Sequence, residues 1–183
     1  MNELITLTKE EMSENFTTRL VCYEYKLLMK YQQDNNIKKM CIPNTIYWLK
    51  VLKQVEQPVK ATATIVISKT PYIKDGITYD SAIVNHMVLT YDDGTVADVS
   101  YEVKSLKNRE YFDNIKDFTN AYNFKRNKSL YDSFPTVIKS HIKMVDVADR
   151  INSGRFVLTP NTDLSKYYDD LEYYIISNLM QSP

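Results

Sequence analysis

Three side chains in this sequence have the types and chain order for chemistry: Cys41, His86 and Asp98. A thiolate is a strong nucleophile, whereas the thiol is not. An imidazole within reach removes the thiol proton, and a carboxylate on the ring's other nitrogen fixes the tautomer. Such a centre transfers or hydrolyses acyl groups through a covalent thioester. Cys41 opens the stretch C-I-P-N-T-I-Y-W-L, where Pro43 suits a first helical turn because the N–H it lacks has no intrahelical partner there. The positive end of a helix dipole favours a thiolate and supplies N–H groups to an oxyanion.

The other two residues must be placed by the stretch Ile83–Val103, which reads as a β-hairpin around Asp92-Asp93-Gly94. Two loop lengths are open. A two-residue Asp-Gly turn pairs position 91 with 96 and sets His86 opposite Tyr101. A three-residue loop with Gly94 in the left-handed region pairs Tyr91 with Thr95. Val88 then lies opposite Asp98, with His86 diagonal to Asp98 on one face. That diagonal is roughly 7–8 Å at the backbone, close enough for a carboxylate to meet an imidazole. A one-residue slip sends Asp98 to the other face. The His–Asp pair therefore requires the three-residue loop.

The remaining elements follow from periodicity and punctuation. Thr8 and Glu11 form a capping-box pattern, and a helix continues over Thr17–Gln33 with Leu20, Leu27 and Tyr31 near one face and Val21 and Leu28 beside them. Cys22 inside it reads as a small core residue. The polar run Gln32–Met40 is a break. The helix from Cys41 is expected to bury one face of Ile42, Ile46, Leu49 and Leu52 or Lys53, widened by Tyr47 and Trp48, and to end before Pro58. Val59–Ser68 is β-branched and reads as a strand. Thr70–Asp80 reads as a loop or the start of the next strand, and 104–108 as a polar connector. Arg109–Phe124 carries Tyr111, Phe112, Ile115, Phe118 and Tyr122 at helical spacing. A further piece is expected from Ser129 or Asp132, interrupted at Pro135. The stretch from Pro135 to Ile151 predicts a helix stopped by Ser153-Gly154. Phe156–Leu158 is a short extended stub, and Asp163 caps a last helix through Leu179. His141 falls at the edge of its helix's apolar stripe and is given no role. The tyrosine-rich stretch Lys166–Tyr174 predicts core packing or a partner surface.

The strands cluster mid-chain, so the fold class is α+β, with a small antiparallel sheet of about three strands flanked by helices. The 183 residues, 44% hydrophobic, predict one domain: helices over 8–55, sheet over 59–103 and helices over 109–180.

Composition removes several function classes. Lys plus Arg equals Asp plus Glu at 23 each, so no basic field invites nucleic acid. Three glycines and no phosphate-binding fingerprint argue against a nucleotide cofactor, and no cofactor is expected. Two cysteines and two histidines, scattered without ligand spacing, disfavour a metal site. The N-terminus does not read as a signal peptide, and no apolar run approaches the ~20 residues that span a bilayer. The expectation is a cytoplasmic protein without membrane association. The Asn-, Lys-, Ile- and Tyr-rich composition fits an AT-rich coding genome, so host cytoplasm or a virion are further settings.

The segments C-I-P-N-T-I-Y-W-L, N-H-M-V-L-T-Y-D-D-G and V-A-D-V-S-Y-E together resemble the core of the transglutaminase-like cysteine enzymes, a superfamily on a papain-like fold. The resemblance covers about 41–103. It implies Cys41 as nucleophile, His86 as general base and acid, and Asp98 as orienting group. It also implies a cysteine-protease-like hydrolase or acyl transferase acting on an amide or thioester of a protein or peptide. Asn35 and Asn36 stand where papain-like enzymes carry an oxyanion donor before the cysteine. The alternative is a relative without catalysis that serves as a protein-binding or virion-associated module.

Overall fold

The computed structural model describes residues 9–10, 16–54, 60–101, 109–121, 135–156 and 163–180. In chain order the elements are α1 (Phe16–Asp34), α2 (Cys41–Gln54), β1 (Ala61–Lys74), β2 (Ile77–Tyr91), β3 (Val96–Ala97), β4 (Arg109–Phe112), α3 (Ile115–Ala121), α4 (Pro135–Asn152) and α5 (Asp163–Leu179). The architecture is α+β, with one small four-stranded antiparallel sheet in the order β3-β2-β1-β4. The chain divides into two compact units, each discontinuous in sequence. The first is Met1–Lys60, Val99–Glu102 and Leu158–Pro183, and the second is Ala61–Asp98 and Val103–Val157. The capping box at Thr8–Glu11, Val59, the 104–108 connector, Tyr122, the Ser129–Asp132 piece and the Val157–Leu158 stub lie outside the described residues.

The first unit holds α1, α2 and α5. Helix α1 ends in a Schellman motif: Ile37 N–H bonds Gln32 O at 2.8 Å and Asn36 N–H bonds Gln33 O at 3.2 Å. Asn36 takes the left-handed position at φ +49°, which Asn tolerates better than most residues. The helix therefore runs through Gln32 and Gln33 to Asp34, one residue beyond the expected end. Leu27 and Leu28 are buried as expected, and Gln32 is buried one turn beyond them.

Helix α2 begins at Cys41 and carries Pro43 in its first turn. Its buried face keeps Tyr47, Trp48 and Leu52 of the expected one and differs in the rest. Pro43, Asn44, Thr45, Tyr47, Trp48, Val51 and Leu52 are inside, while Ile42, Ile46 and Leu49 are half-buried. The stripe is rotated toward Trp48, whose ring meets Tyr25 edge-on at 5.7 Å. Asn44 can enter because its amide is hydrogen-bonded, which removes most of the cost of burying it. Helix α5 brings Tyr167 and Tyr174 to Tyr31 of α1, with centroids at 6.2 and 5.1 Å, and Tyr168 stacks on Tyr47 at 6.3 Å. Core packing accounts for these tyrosines.

The second unit is the sheet with α3 and α4. Thr70–Asp80 is not a loop. β1 runs to Lys74, pairs with Ile77, and turns through Asp75-Gly76. Both turn residues have positive φ, +52° and +76°, the type I′ geometry that matches strand twist. Asp-Gly was the missed signal, and Pro71 masked it. Pro71 sits at a register irregularity, between the pairs Thr70–Ala82 and Tyr72–Tyr79, where a ladder donor is dispensable.

Arg109–Phe112 is a strand, not the first turn of a helix. It pairs with Ile65–Ser68 along the β1 edge. The helix starts only after Asn114, whose side-chain oxygen accepts from Asp117 N–H at 2.9 Å as an N-cap. Phe112 and Phe118 then meet edge-on at 5.5 Å. Beyond β4 the β1 edge would be open at Ala63. There Asn152, at the end of α4, stands in for a strand: its Oδ1 accepts from Ala63 N–H and its Nδ2 donates to Ala63 O, both at 2.8 Å. Helix α4 closes with Gly154 at φ +70° and an Arg155 N–H to Arg150 O bond of 2.9 Å, a second Schellman motif.

Alternation gives the sheet two chemically different faces. Ala63, Ile65, Ile67, Met87, Leu89 and Phe112 share one and are buried, as are Val145 and Ala148 of α4. Thr62, Thr64, Val66, His86, Val88 and Thr90 share the other. There Thr90 Oγ1 donates to Thr64 Oγ1 at 3.0 Å.

Candidate functional site

The hairpin closes in the three-residue register. Tyr91 N–H bonds Thr95 O and Gly94 N–H bonds Tyr91 O, both at 2.9 Å, and Leu89 pairs with Ala97. Gly94 sits at φ +84°. Asp93 braces the turn by accepting from Thr95 N–H at 2.8 Å, and that bond holds its carboxyl below the usual carboxylate range.

This register puts His86 and Asp98 together. His86 Nε2–H donates to both carboxylate oxygens of Asp98, each at 3.0 Å. The side chains are 13% and 29% exposed, so the pair is shielded but not sealed from water. The carboxylate assigns the tautomer: with the proton on Nε2, the basic lone pair is on Nδ1. A neighbouring anion also stabilises the imidazolium that forms when Nδ1 takes a proton.

Cys41 belongs to the first unit and the His86–Asp98 pair to the second. Cys41 is the first residue of α2 and half-buried: the Asn44 N–H to Met40 O bond, 2.9 Å, closes the first turn around it. Cys22 is half-buried within α1, and neither cysteine is in a disulfide. Asn35 and Asn36 are exposed at the C-terminus of α1. Asn35 Nδ2 donates to Tyr31 O at 2.9 Å, so both asparagines serve to end the helix.

Sequence reasoning missed a buried cluster in the first unit. Gln32 Nε2 donates to Val99 O at 3.0 Å and to Leu28 O at 3.2 Å. Gln32 Oε1 accepts from Asn44 Nδ2 at 2.7 Å and from Tyr101 N–H at 3.2 Å. Asn44 Nδ2 also donates to Val99 O at 3.1 Å, and Asn44 Oδ1 accepts from Tyr167 O–H. Tyr168 O–H donates to Pro43 O at 3.0 Å. The available signal was the spacing of Gln32 one turn after Leu28 and of Asn44 one turn after Cys41. Burial pushes the Tyr47, Tyr167 and Tyr168 hydroxyls well above the ordinary tyrosine range. Burial also raises the Glu24 carboxyl.

Among the described residues, no cluster of three or more His, Cys, Asp or Glu side chains is arranged to hold a metal ion, and no helix is long and apolar enough to cross a membrane. Comparison with protein-family models, curated proteins and solved structures finds no match for this chain.

Proposed function

We propose that this chain is a cysteine-nucleophile hydrolase or acyl transferase with a papain-like, transglutaminase-like core. It acts on an amide or thioester of a protein or peptide. The observation that carries this reading is the His86–Asp98 pair, a bidentate contact at 3.0 Å that directs the imidazole's basic nitrogen away from the carboxylate. The start of α2 at Cys41 supports it further.

In this mechanism His86 Nδ1 takes the Cys41 thiol proton, and Asp98 stabilises the resulting imidazolium. The thiolate attacks the carbonyl carbon, forming a C–S bond and an oxyanion. Collapse breaks the bond to the leaving amine or thiol, which takes the proton from His86. Water or an acceptor amine then attacks the thioester, gives its proton to His86, and releases Cys41, which recovers the proton.

The test is the pH dependence of iodoacetamide alkylation in a Cys22→Ser background. Cys41 should react at pH ~6 at least about tenfold faster than an ordinary thiol of pKa ~8.5. His86→Ala should remove that advantage while Trp48 emission stays native. An ordinary thiol profile insensitive to His86→Ala would sink the reading.

One observation favours a second reading, a non-catalytic protein-binding or virion-associated module. Tyr173 and Ile176 on α5 and Met180 just beyond its end, at i, i+3 and i+7, are 76%, 49% and 82% exposed. On that reading Cys41 is inert and Tyr173→Ser impairs binding.

A further inference from the structure

We infer that Gln32 and Asn44 are positioning residues for the Cys41 centre. The inference rests on the function proposed above.

Segment Val99–Tyr101 lies in neither helix nor strand, so no local ladder fixes it. Two side-chain amides do so instead. Val99 O receives both Gln32 Nε2 and Asn44 Nδ2, at 3.0 and 3.1 Å, which uses both of its lone pairs. Tyr101 N–H is taken by Gln32 Oε1. Val99 is the residue that follows Asp98 in the chain, and Asn44 lies one helical turn beyond Cys41. The two amides bond each other at 2.7 Å. The junction thus fixes the turn that begins at Cys41 against the segment Val99–Tyr101, all within the first unit. Tyr167 O–H on Asn44 and Tyr168 O–H on Pro43 O hold the same turn from α5.

Packing alone would not need this chemistry. Gln32 and Asn44 are 1% and 0% exposed, and buried amides are tolerated only when their hydrogen bonds are made. Apolar contacts are non-directional and can slide, whereas hydrogen bonds fix relative position closely. A displacement of about 1 Å at reacting groups can cost about a hundredfold in rate.

The test uses the full chain in the Cys22→Ser background. Asn44→Ala and Gln32→Met are compared with Asn152→Ala, which breaks a hydrogen-bonded clamp in the second unit. Gln32→Met keeps the side chain's length and loses its amide hydrogen bonds without burying a charge, so it serves if Asn44→Ala does not fold. Native Trp48 emission establishes folding. Folded Gln32 or Asn44 variants should alkylate Cys41 at pH ~6 at least about tenfold more slowly, with a profile shifted toward an ordinary thiol. Asn152→Ala should keep the wild-type profile. A folded Gln32 or Asn44 variant with the wild-type profile overturns the positioning role, as does an equal shift in Asn152→Ala. If the wild-type profile itself is insensitive to His86→Ala, the proposed function fails, and this inference with it.

Discussion

Tyr167→Phe removes a single oxygen atom from the buried junction. The ring stays, so its contacts with Tyr31 at 6.2 Å and Tyr168 at 5.8 Å are kept. What changes is Asn44 Oδ1, which loses the Tyr167 donor in a residue that is 0% exposed. An orphaned buried acceptor costs about 1–3 kcal/mol, so the variant should lose that much stability. Asn44→Ala orphans the Tyr167 hydroxyl in turn. Its other partners are insured: Val99 O keeps Gln32, and Gln32 Oε1 keeps Tyr101. The cost should be about 2–4 kcal/mol, one orphaned hydroxyl plus the lost side-chain packing. Because both variants break the same bond, the double variant should cost less than their sum by about 1 kcal/mol or more. The assay is denaturant unfolding followed by fluorescence of Trp48, the single tryptophan, buried in the first unit. A midpoint shift at constant slope reports stability alone. A Tyr167→Phe loss below about 0.5 kcal/mol, or additive costs in the cycle, would refute the assignment of this bond as a buried, closed hydrogen bond.

Further outcomes follow from the same structure. Burial raises the Tyr47, Tyr167 and Tyr168 hydroxyls, so the folded state keeps protons that the unfolded state gives up near pH ~10. Stability should therefore fall as pH rises above ~10. In an alkaline titration part of the tyrosinate absorbance should appear only as native Trp48 emission is lost; reversible titration of every tyrosine near pH ~10 with the fold intact would contradict this. Glu24 is raised by burial, so its folded form binds a proton more readily than its unfolded form. Stability is then lost as pH rises from the unfolded value of ~4.3 through the raised folded value. Glu24→Gln should be more stable than wild type at neutral pH, with the gap closing below pH ~4 in denaturant midpoints. Asn152→Ala should cost about 1–2 kcal/mol by removing the part-buried bonds to the Ala63 N–H and O. Hydrogen exchange at the Ala63 amide should accelerate, and unchanged protection there would count against the clamp.

Legibility along this chain depended on whether the deciding interaction was local. The Asp92-Asp93-Gly94 loop needs only a left-handed glycine and strand alternation, both visible in sequence. His86 and Asp98 follow from its register. The ends of α1 and α4 were marked by Asn36 and Gly154 for the same reason. Arg109–Phe112 was misread because its helical spacing is real: Phe112 and Phe118 do share a core, across a cap and from two different elements. Pairing with Ile65–Ser68, about 45 residues away, decided the matter.

The face of α2 and the burial of Gln32 were hidden more deeply, because each depends on a partner that no periodicity reveals. A glutamine at the end of an apolar stripe is written the same way whether it faces water or a carbonyl 67 residues on. Hydrophobic spacing places Ile46 inside only if every polar neighbour must stay outside. Once Asn44, Gln32, Val99 O and Tyr167 satisfy one another, that condition lapses and the helix can rotate its polar residue inward. The local reading therefore fails first one turn from Cys41. A polar group is buried there at a cost that an apolar side chain would avoid.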